Sequence, residues 1–339
     1  MSERSGGRTR PPSMMDVAAL AGVSHQTVSR VFNEADSVRA ATRDRVLAAV
    51  DQLGYRRNLS ARALATHRSG LIGVLSGGSP LLGPASTLSA VEAAARRHGY
   101  ATLVGIVGED DPKEPVSLVD SFAARGVDGI VAIVGREAMA APLLDLVPAI
   151  PMIVVADVGE SSEQPSVVAV DHAAGARAAT QHLIELGHRR IAHLAGPVDW
   201  FDARSRIRGW RSAMADAGLD GPLLEGDWTA ARGHALGEQL ARSGLPDAVV
   251  CGNDLIALGL IAALRERGIG VPDRVSVVGY DDMPGSAFFA PALTTVRQPF
   301  DELASACLET LVAQIGGEGP ARRLIAPELR IRASTAPLA

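Results

Sequence analysis

The sequence has few cysteines and no long apolar run, and both shortages exclude whole classes of protein. Its 339 residues include only two cysteines, Cys251 and Cys307, each in an apolar segment and neither in a CxxC pattern. A disulfide framework or zinc site is therefore not expected, and both thiols should be buried in a reducing compartment. No apolar stretch reaches the length of about 18 residues that a membrane span requires, and the polar N-terminus lacks a signal-peptide core. We expect a cytoplasmic protein without a membrane anchor.

Signatures of catalysis and cofactor binding are missing as well. The segment GVLSGGSP matches neither GxGxxG nor a phosphate-binding GxxxxGK[ST] loop, and no GxSxG elbow precedes a helix in the right place. Three histidines, His182, His188 and His193, are close in sequence, but they fall on a helix, after its end and in a strand, so a shared metal site is not expected. The sequence therefore predicts no enzyme activity, no cofactor and no metal.

Charge is distributed unevenly along the chain. The net charge of the whole sequence is −5, yet arginines outnumber carboxylates through Gly70 and the remainder is acidic. A basic head in front of an acidic body indicates a polyanion-binding segment attached to another domain. Charge alone does not distinguish this arrangement from an arginine-rich tail without a partner.

The N-terminal part shows three short helical patterns behind a polar tail, residues 1–13, that we expect to be disordered. The run DVAALAGVSHQTVSRVFN contains two patterns separated by Gly22, and TRDRVLAAVDQLGY forms a third that stops at Gly54. Three such helices share one small core. We therefore predict an all-α headpiece over residues 14–57, followed by a hinge helix and linker over residues 58–69 that is too short to be stable alone.

From Leu71 onward, apolar strand-like runs alternate with helical patterns. This alternation favours parallel sheets covered by helices, and its length favours an α/β core of two lobes over residues 70–339. We expect the chain to cross between lobes near Val170, Gln298 and Pro327. The first lobe then takes residues 70–170 and 298–327, and the second takes residues 171–297 and 328–339.

The second helical pattern has the features of a DNA-reading helix. If it starts at Ser24, the face opposite its apolar residues carries His25, Gln26, Ser29, Arg30 and Asn33. Glutamine can pair with adenine and arginine with guanine in the major groove. A second set, Ser24, Thr42 and Asn58, could contact phosphates. The alternative interpretation is the solvated face of an ordinary helical bundle.

The phrases DVAALAGVSHQTVSRVFN and SARAL resemble the headpiece and hinge of the lactose-repressor family, whose core is similar to periplasmic binding proteins. HLIELGHRRIAHLAGP, VVCGNDLIALG, VSVVGYDDMP and LTTVRQPF extend the resemblance over nearly the whole chain. It implies a homodimer on double-stranded operator DNA, with Tyr55 among the DNA contacts, Leu64 as an apolar wedge between base steps and Ala61 packed beside it. Arg39 departs from the family pattern, and we expect Thr42 to cap the third helix instead.

The resemblance also implies an effector cleft lined by Asp157, Asp202, Arg206, Trp228, Asn253, Asp281, Gln298 and Phe300. Carboxylates and amides suit the hydroxyls of a sugar, and an aromatic face suits its C–H side. Gly77 stands where the lactose repressor has a serine that contacts the sugar, so the resemblance does not identify the sugar. Individually, polar residues such as Asp281 and Asn253 could instead satisfy loop backbone groups.

Three classes of function are compatible with an α/β core of this kind: a DNA-binding regulator, a free sugar-binding protein and a dinucleotide-dependent enzyme. The head sequence SHQTVSRVFN and the missing glycine fingerprint favour the regulator. We predict a repressor that binds a palindromic operator and is released by a small sugar or glycoside, with co-repression by a purine or nucleoside as the alternative. The chain ends at RASTAPLA without a heptad helix, so a dimer is expected.

Overall fold

Two units make up the chain in a computed structural model, one from Met1 to Ser69 and one from Gly70 to Ala339. The structure describes residues 10, 12–33, 37–56, 68–108, 111, 113–146, 150–158 and 165–338. Within these residues, no helix is long and apolar enough to cross a membrane.

The first unit contains three helices in its described part: α1 (Met14–Ala21), α2 (His25–Asn33) and α3 (Ala40–Leu53). Ser13 starts α1 with a capping box, in which its hydroxyl accepts from the Asp16 N–H and the Asp16 carboxylate accepts from the Ser13 N–H. Gly22 ends α1 at φ 63°, a backbone conformation that glycine adopts without steric cost. The predicted break at this glycine is therefore confirmed.

The core of this unit consists of one apolar stripe from each helix. Val17, Val28 and Val46 are fully buried and pack together. The N-terminus of α3 differs from our expectation. Arg39 occupies the N-cap position without a side-chain hydrogen bond, and Thr42 lies inside the first turn, where its N–H donates to the Arg39 carbonyl. The expectation that Thr42 caps α3 is wrong, because the helix begins three residues earlier than such a cap would require.

The second unit contains two six-stranded sheets with helices packed on them, so the predicted two-sheet α/β fold is confirmed. The first sheet has the order β11-β5-β4-β3-β1-β2, and its strands are β1 (Leu71–Ser76), β2 (Ala101–Ile106), β3 (Gly129–Ile133), β4 (Met152–Val155), β5 (Ser166–Val170) and β11 (Arg322–Ile325). All of its strand pairs are parallel.

The second sheet has the order β12-β10-β9-β8-β6-β7, and its strands are β6 (Ile191–Ala195), β7 (Leu223–Glu225), β8 (Ala248–Cys251), β9 (Ser276–Asp281), β10 (Thr294–Arg297) and β12 (Glu328–Arg330). It is parallel except for the pair of β10 and β12. The helices of the unit are α4 (Leu82–Arg97), α5 (Glu114–Ala124), α6 (Glu137–Leu144), α7 (His172–Glu185), α8 (Phe201–Asp216), α9 (Ala230–Ser243), α10 (Asp254–Glu266) and α11 (Phe300–Ile315).

The chain passes between the two sheets three times. It leaves the first sheet after β5, returns after β10 to place α11 on the first sheet, and crosses again between β11 and β12. The first crossing leads from β5 into α7, the second from β10 into α11 and the third from β11 to β12. The strands β5 and β11 are neighbours in the first sheet, and β10 and β12 are neighbours in the second. Each lobe therefore contains segments that are distant in sequence.

Strand order determines where a ligand site can form. In open parallel sheets, ligands bind beyond the carboxyl ends of the strands, where loops diverge to opposite faces. The carboxyl ends of β6, β8 and β9 lead into Gly196, Gly252 and Asp281, and those of β3 and β4 lead into Gly135 and Asp157. These loops line the space between the lobes.

Close packing of two helices in the second lobe gives a test of this architecture. A Cβ added at Gly209 of α8 would lie 2.1 Å from the Ala173 carbonyl oxygen of α7. Gly209→Ala should therefore lower the free energy of unfolding by about 1–3 kcal/mol, since the overpacked helices must shift. Urea denaturation followed by tryptophan fluorescence measures this loss, because all three tryptophans lie in the second unit.

Arg211→Ala, at an exposed position of the same helix, is the control and should change stability by less than about 0.5 kcal/mol. Equal stabilities of the Gly209 variant and the wild type would contradict the helix packing described above.

Candidate functional site

Helix α2 presents a polar face opposite its buried side. Ser24 precedes the helix and its hydroxyl accepts from the Thr27 N–H at 3.2 Å. His25, Gln26 and Arg30 are exposed, whereas Val28 and Val31 are buried. Ser29 and Thr42 are half-buried. The predicted DNA-contacting residues His25, Gln26, Ser29 and Arg30 therefore share one accessible face of this helix.

Other residues predicted at the DNA differ in their surroundings. Tyr55 is 8% exposed, and its ring packs at a tilt against Phe32 with centroids 6.1 Å apart, so most of this side chain belongs to the headpiece core. Asn58, Ala61 and Leu64 lie outside the described residues, as does the side chain of Asn33.

Two adjoining cavities lie between the lobes of the second unit, with volumes of about 80 and 50 Å³. One water requires about 10–15 Å³ on this measure, so the space suits a small molecule. Six of the eight predicted effector residues line the larger cavity: Asp202, Arg206, Trp228, Asn253, Asp281 and Gln298. The residues common to both cavities are Gly83, Pro84, Trp200, Asp202 and Gln298.

Arg206 is the cationic residue that lines the larger cavity, and it is 3% exposed. Its guanidinium donates to the Gly252 carbonyl and lies 3.8 Å from Asp202 Oδ2 and 3.6 Å from Asp281 Oδ1. Its Cζ atom is 3.8 Å from the ring centroid of Tyr280. Two carboxylates, a carbonyl and a π face therefore compensate the buried cation.

His172 extends this network on the side of the smaller cavity. Its Nε2 lies 3.3 Å from Asp202 Oδ1, and its Nδ1 lies 3.2 Å from the Tyr280 hydroxyl. Burial raises the pKa of Asp202, but His172 and Arg206 outweigh it and lower that pKa to about 2. Asp202 is consequently ionised at neutral pH.

Trp228 forms an apolar wall of the larger cavity, and local structure fixes its position. The residue has a φ of 70°, and Asn253 Nδ2 donates to its carbonyl at 3.0 Å while Asn253 Oδ1 accepts from the Ile256 N–H. A Cβ on Gly196 would lie 2.3 Å from the indole. Asn253 therefore acts on the site through Trp228, since its side chain caps α10 and holds this loop.

Left-handed backbone conformations concentrate at this cavity. Within the described residues, the non-glycine positions with positive φ are Trp228, Asp281 and Asp282. Such conformations cost of order 1–3 kcal/mol each and persist where the surrounding structure imposes them, often at ligand sites. Asp281 is held by Gln298 Nε2, which donates to its Oδ1 at 2.7 Å.

Asp157 and Phe300 stand apart from the six residues above. Asp157 lines the smaller cavity and is ion-paired with Arg208 at 3.5 Å. Phe300 begins α11 and packs against the core of the first lobe, and it lines a wider groove beside α4 that adjoins the larger cavity. The structure thus places Phe300 outside both cavities, because its ring is needed where α11 covers the first sheet.

The three clustered histidines have separate partners. His182 Nε2 is 3.0 Å from Thr335 Oγ1, His188 Nε2 is 3.0 Å from the Ala336 carbonyl, and His193 Nδ1 is 2.9 Å from the Val250 carbonyl. Across the described part of the chain, no group of three or more His, Cys, Asp or Glu residues could hold a metal ion.

Comparison with known proteins bears on both units. Residues 13–58 match the model of the lacI family of bacterial regulatory proteins, and residues 180–335 match a periplasmic binding protein-like domain. The lactose operon repressor of Escherichia coli is 33% identical over 333 residues, which cover 96% of this chain and 91% of that protein. The chain belongs to the LacI family. It is a DNA-binding regulatory protein.

Other LacI-family proteins match over similar lengths. The transcriptional repressor PurR of Haemophilus influenzae is 35% identical over 333 residues, covering 95% of this chain and 98% of that protein. The structure of the lac repressor dimer bound to operator and the anti-inducer ONPF matches with a TM-score of 0.83 at 32% identity, covering 96% of this chain and all of that one. The CelR–cellobiose complex matches with a TM-score of 0.70 at 33% identity over 95% and 99% of the two chains.

Three of the residues of this LacI-family cleft that sequence reasoning missed are Trp200, His172 and Asp254. Trp200 lines both cavities, His172 lines the smaller one, and Asp254 lines the larger one. His172 and Asp254 each follow a strand end, which is the signal that could have identified them. Trp200 lies at the start of a helix, where an aromatic residue gives no separate signal.

Asp254 is the unusual acid among these residues. It is buried, accepting at Oδ1 from the Thr295 hydroxyl and at Oδ2 from the Met283 N–H, 2.7 Å away. Burial and the neighbouring carboxylates of Asp281 and Asp282 nevertheless raise the pKa of Asp254 to about 7.

The raised pKa of Asp254 makes stability depend on pH. Its pKa is near the ordinary value of 3.8 in the unfolded chain and about 7 in the folded one. Between these values unfolding releases a proton, so this contribution is full below about pH 4 and is lost as pH rises through about 7. As the pH rises from about 4 to 8, the free energy of unfolding of the wild type should therefore fall relative to that of Asp254→Asn.

Thermal unfolding of both proteins from pH 4 to pH 8 measures the shift, with Asp120→Asn as the control for loss of an exposed carboxylate. If the difference in melting temperature between the wild type and Asp254→Asn stays constant from pH 4 to pH 8, the raised pKa is contradicted.

Proposed function

We propose that this LacI-family regulator is a repressor that binds a palindromic operator as a homodimer and releases it when a small sugar or glycoside occupies the cleft. The ligand-sensing part of this proposal rests on one observation. A single cavity combines a buried guanidinium, carboxylates and part of an indole face. Sugars present hydroxyls on their edges and C–H groups on their faces, and both can be matched there.

Two buried donors on residues that line the cavity support a polar ligand. Arg206 Nε and Trp228 Nε1 are buried and have no hydrogen-bond partner among the described residues. An unsatisfied buried donor costs about 1–3 kcal/mol, so a ligand oxygen that accepts from either would stabilise the complex. Asp202, which is ionised, can accept from ligand hydroxyls.

A purine or nucleoside that acts as a corepressor is the second candidate. It is favoured by the similarity to PurR, which extends over most of the chain. A planar base could stack on Trp228 and pair with the same carboxylates. The two candidates differ in sign, because a sugar inducer lowers operator affinity and a corepressor raises it.

The DNA half of the proposal rests on the exposed face of α2. Gln26 and Arg30 stand one turn apart and are proposed to read base edges, with His25 and Ser29 beside them and Ser24 and Thr42 at phosphates. The homodimer is proposed from the lac repressor dimer on its operator. Its two-fold symmetry would match a palindromic site.

The two sites are coupled in this proposal through one conformational equilibrium. Ligand binding changes the relation of the two lobes, and the hinge segment, which lies outside the described residues, loses its pairing with the partner's hinge. Leu64 is proposed as the wedge in the minor groove that this change withdraws. No catalysis is proposed, and the protein is expected to act in the cytoplasm at the nucleoid.

The sensor proposal is tested at Arg206. Arg206→Ala should retain operator binding but lose effector response by about tenfold or more, because hydrogen bonds from a charged donor contribute about 1.5–3 kcal/mol. Arg206→Lys keeps the charge without the planar fork and should also be impaired. Operator titrations with and without D-galactose, lactose, cellobiose and hypoxanthine provide the measurement.

Arg211→Ala on the exposed side of the same helix is the matched control. An Arg206→Ala protein that responds at wild-type effector concentrations would place the effector elsewhere and refute the sensor half.

The DNA proposal is tested by substitutions in α2. Gln26→Ala and Arg30→Ala should each relax preference at one base pair by about 1–3 kcal/mol, since each is proposed to pair with one base. Thr42→Ala, at a proposed phosphate contact, should weaken binding equally on all sequences. Binding to a library of single-base operator variants distinguishes the two patterns, and uniform weakening by Gln26→Ala or Arg30→Ala would contradict the assignment.

A further inference from the structure

Trp200 occupies the boundary between the two cavities of the cleft. It lines both, together with the small residues Gly83 and Pro84 and the polar residues Asp202 and Gln298. A ligand that enters either cavity therefore passes the only aromatic side chain that the two described cavities share. The size and shape of the side chain at position 200 therefore help to define the space that a ligand can occupy.

The indole of Trp200 forms an apolar corner with that of Trp228. Their ring centroids are 5.9 Å apart and their planes meet at 80°. Centroids this close leave no room for a third ring between them, so the pair offers two perpendicular walls. The larger cavity is also lined by Asp202, Asp254 and Asp281. A pyranose ring, with an apolar C–H face and hydroxyls around its edge, complements such a site.

The charges of the cleft favour an uncharged ligand. Carboxylates line both cavities, and Arg206 is already paired with two of them, Asp202 and Asp281. A phosphate group placed among them would lose its hydration and face like charges, and Arg206, the one arginine among the residues that line these two cavities, already has two carboxylates beside it. The site therefore disfavours a phosphorylated sugar.

Trp200 belongs in sequence to the second lobe but is held by the first. Arg136 and Trp200 form an antiparallel bridge, the Phe201 N–H donates to the Gly135 carbonyl at 3.0 Å, and the Glu137 N–H donates to the Asp199 carbonyl at 3.1 Å.

Two ion pairs flank this crossing, between Arg136 and Asp199 at 2.8 Å and between Arg204 and Glu137 at 2.6 Å. The ring also covers Gly135, where an added Cβ would lie 2.4 Å from it. Both lobes thus determine the position of this indole.

We propose that Trp200 contacts the effector and determines the specificity of the cleft for an uncharged carbohydrate ring, which packs in the corner formed with Trp228. This inference rests on the proposed sugar-responsive function and adds a residue and a charge class to it. Because the first lobe holds Trp200, contact with the ring also links ligand recognition to the contacts between the two lobes at Arg136 and Trp200.

The first experiment measures which probes bind the full-length wild-type protein. Isothermal titration calorimetry with D-glucose, D-galactose, lactose, cellobiose, D-glucose 6-phosphate and hypoxanthine provides the comparison. At least one neutral carbohydrate should bind, and glucose 6-phosphate should bind at least about tenfold more weakly than glucose or not at all. Binding of hypoxanthine without any carbohydrate would overturn the proposed function and this inference together. Preferred binding of glucose 6-phosphate would overturn the inference alone.

The second experiment tests Trp200 with the tightest neutral carbohydrate from that panel. Trp200→Ala should weaken binding by about tenfold or more, because a large apolar contact is removed. Val198→Ala is the matched control, since Val198 lies in the same loop, is exposed and lines neither cavity; it should change affinity by less than about twofold.

Operator binding by both variants verifies that they are folded. If Trp200→Ala fails to fold, Trp200→Phe, which keeps part of the wall, should show a smaller loss. Wild-type affinity in the folded variant would overturn the inference.

A double-mutant cycle separates contact from general packing. Gly135→Ala should displace the Trp200 indole and weaken carbohydrate binding, since its new Cβ occupies the position of the ring. In the Trp200→Ala background the same substitution should cost little, because the ring that it displaces is absent. A loss from Gly135→Ala that persists undiminished in the Trp200→Ala background would overturn the inference.

Discussion

Arg206 carries a full charge at 3% exposure, and the cleft is organised around its compensation. An uncompensated buried cation is expensive, so the groups around it must be present whenever the fold is. Asp202 and Asp281 supply the opposite charge, and the Tyr280 ring lies 3.8 Å from the guanidinium carbon. These partners come from α8 and β9, so this single charge fixes two elements of the second lobe relative to each other and sets the polarity of the cavity.

The fold could be predicted from sequence because its signals are local and repeated. Alternating apolar strands and amphipathic helices specify parallel sheets, and Gly22 and Gly54 mark helix ends that the structure contains. Six of the eight expected cleft residues line one cavity for a related reason, since strand ends converge in any doubly wound sheet. Phe300 does not line this cavity, because its ring packs against the core of the first lobe. Sequence alone does not distinguish an apolar ring that packs in a core from one that contacts a ligand.

Trp200 and the capping of α3 show what sequence reasoning could not reach. The position of the Trp200 indole depends on Gly135, 65 positions earlier in the sequence, and on an antiparallel bridge between lobes. No periodicity encodes a contact of that kind. Close approach of rings to glycine recurs at Gly196, which Trp228 covers. Both glycines are needed for the space that their missing side chains leave, which is a property of the packed molecule and not of the local chain.

The three crossings between the sheets run along neighbouring edges, whereas the bridge between Arg136 and Trp200 lies elsewhere, beyond the ends of β3 and β6. The two lobes are thus connected covalently by three chain segments and noncovalently by the bridge between Arg136 and Trp200. Three connecting segments restrict twisting and sliding of the lobes against each other more than one segment would. Opening and closing of the lobes about a single axis is then the easiest motion. A ligand bound between the lobes would therefore act mainly on this one motion.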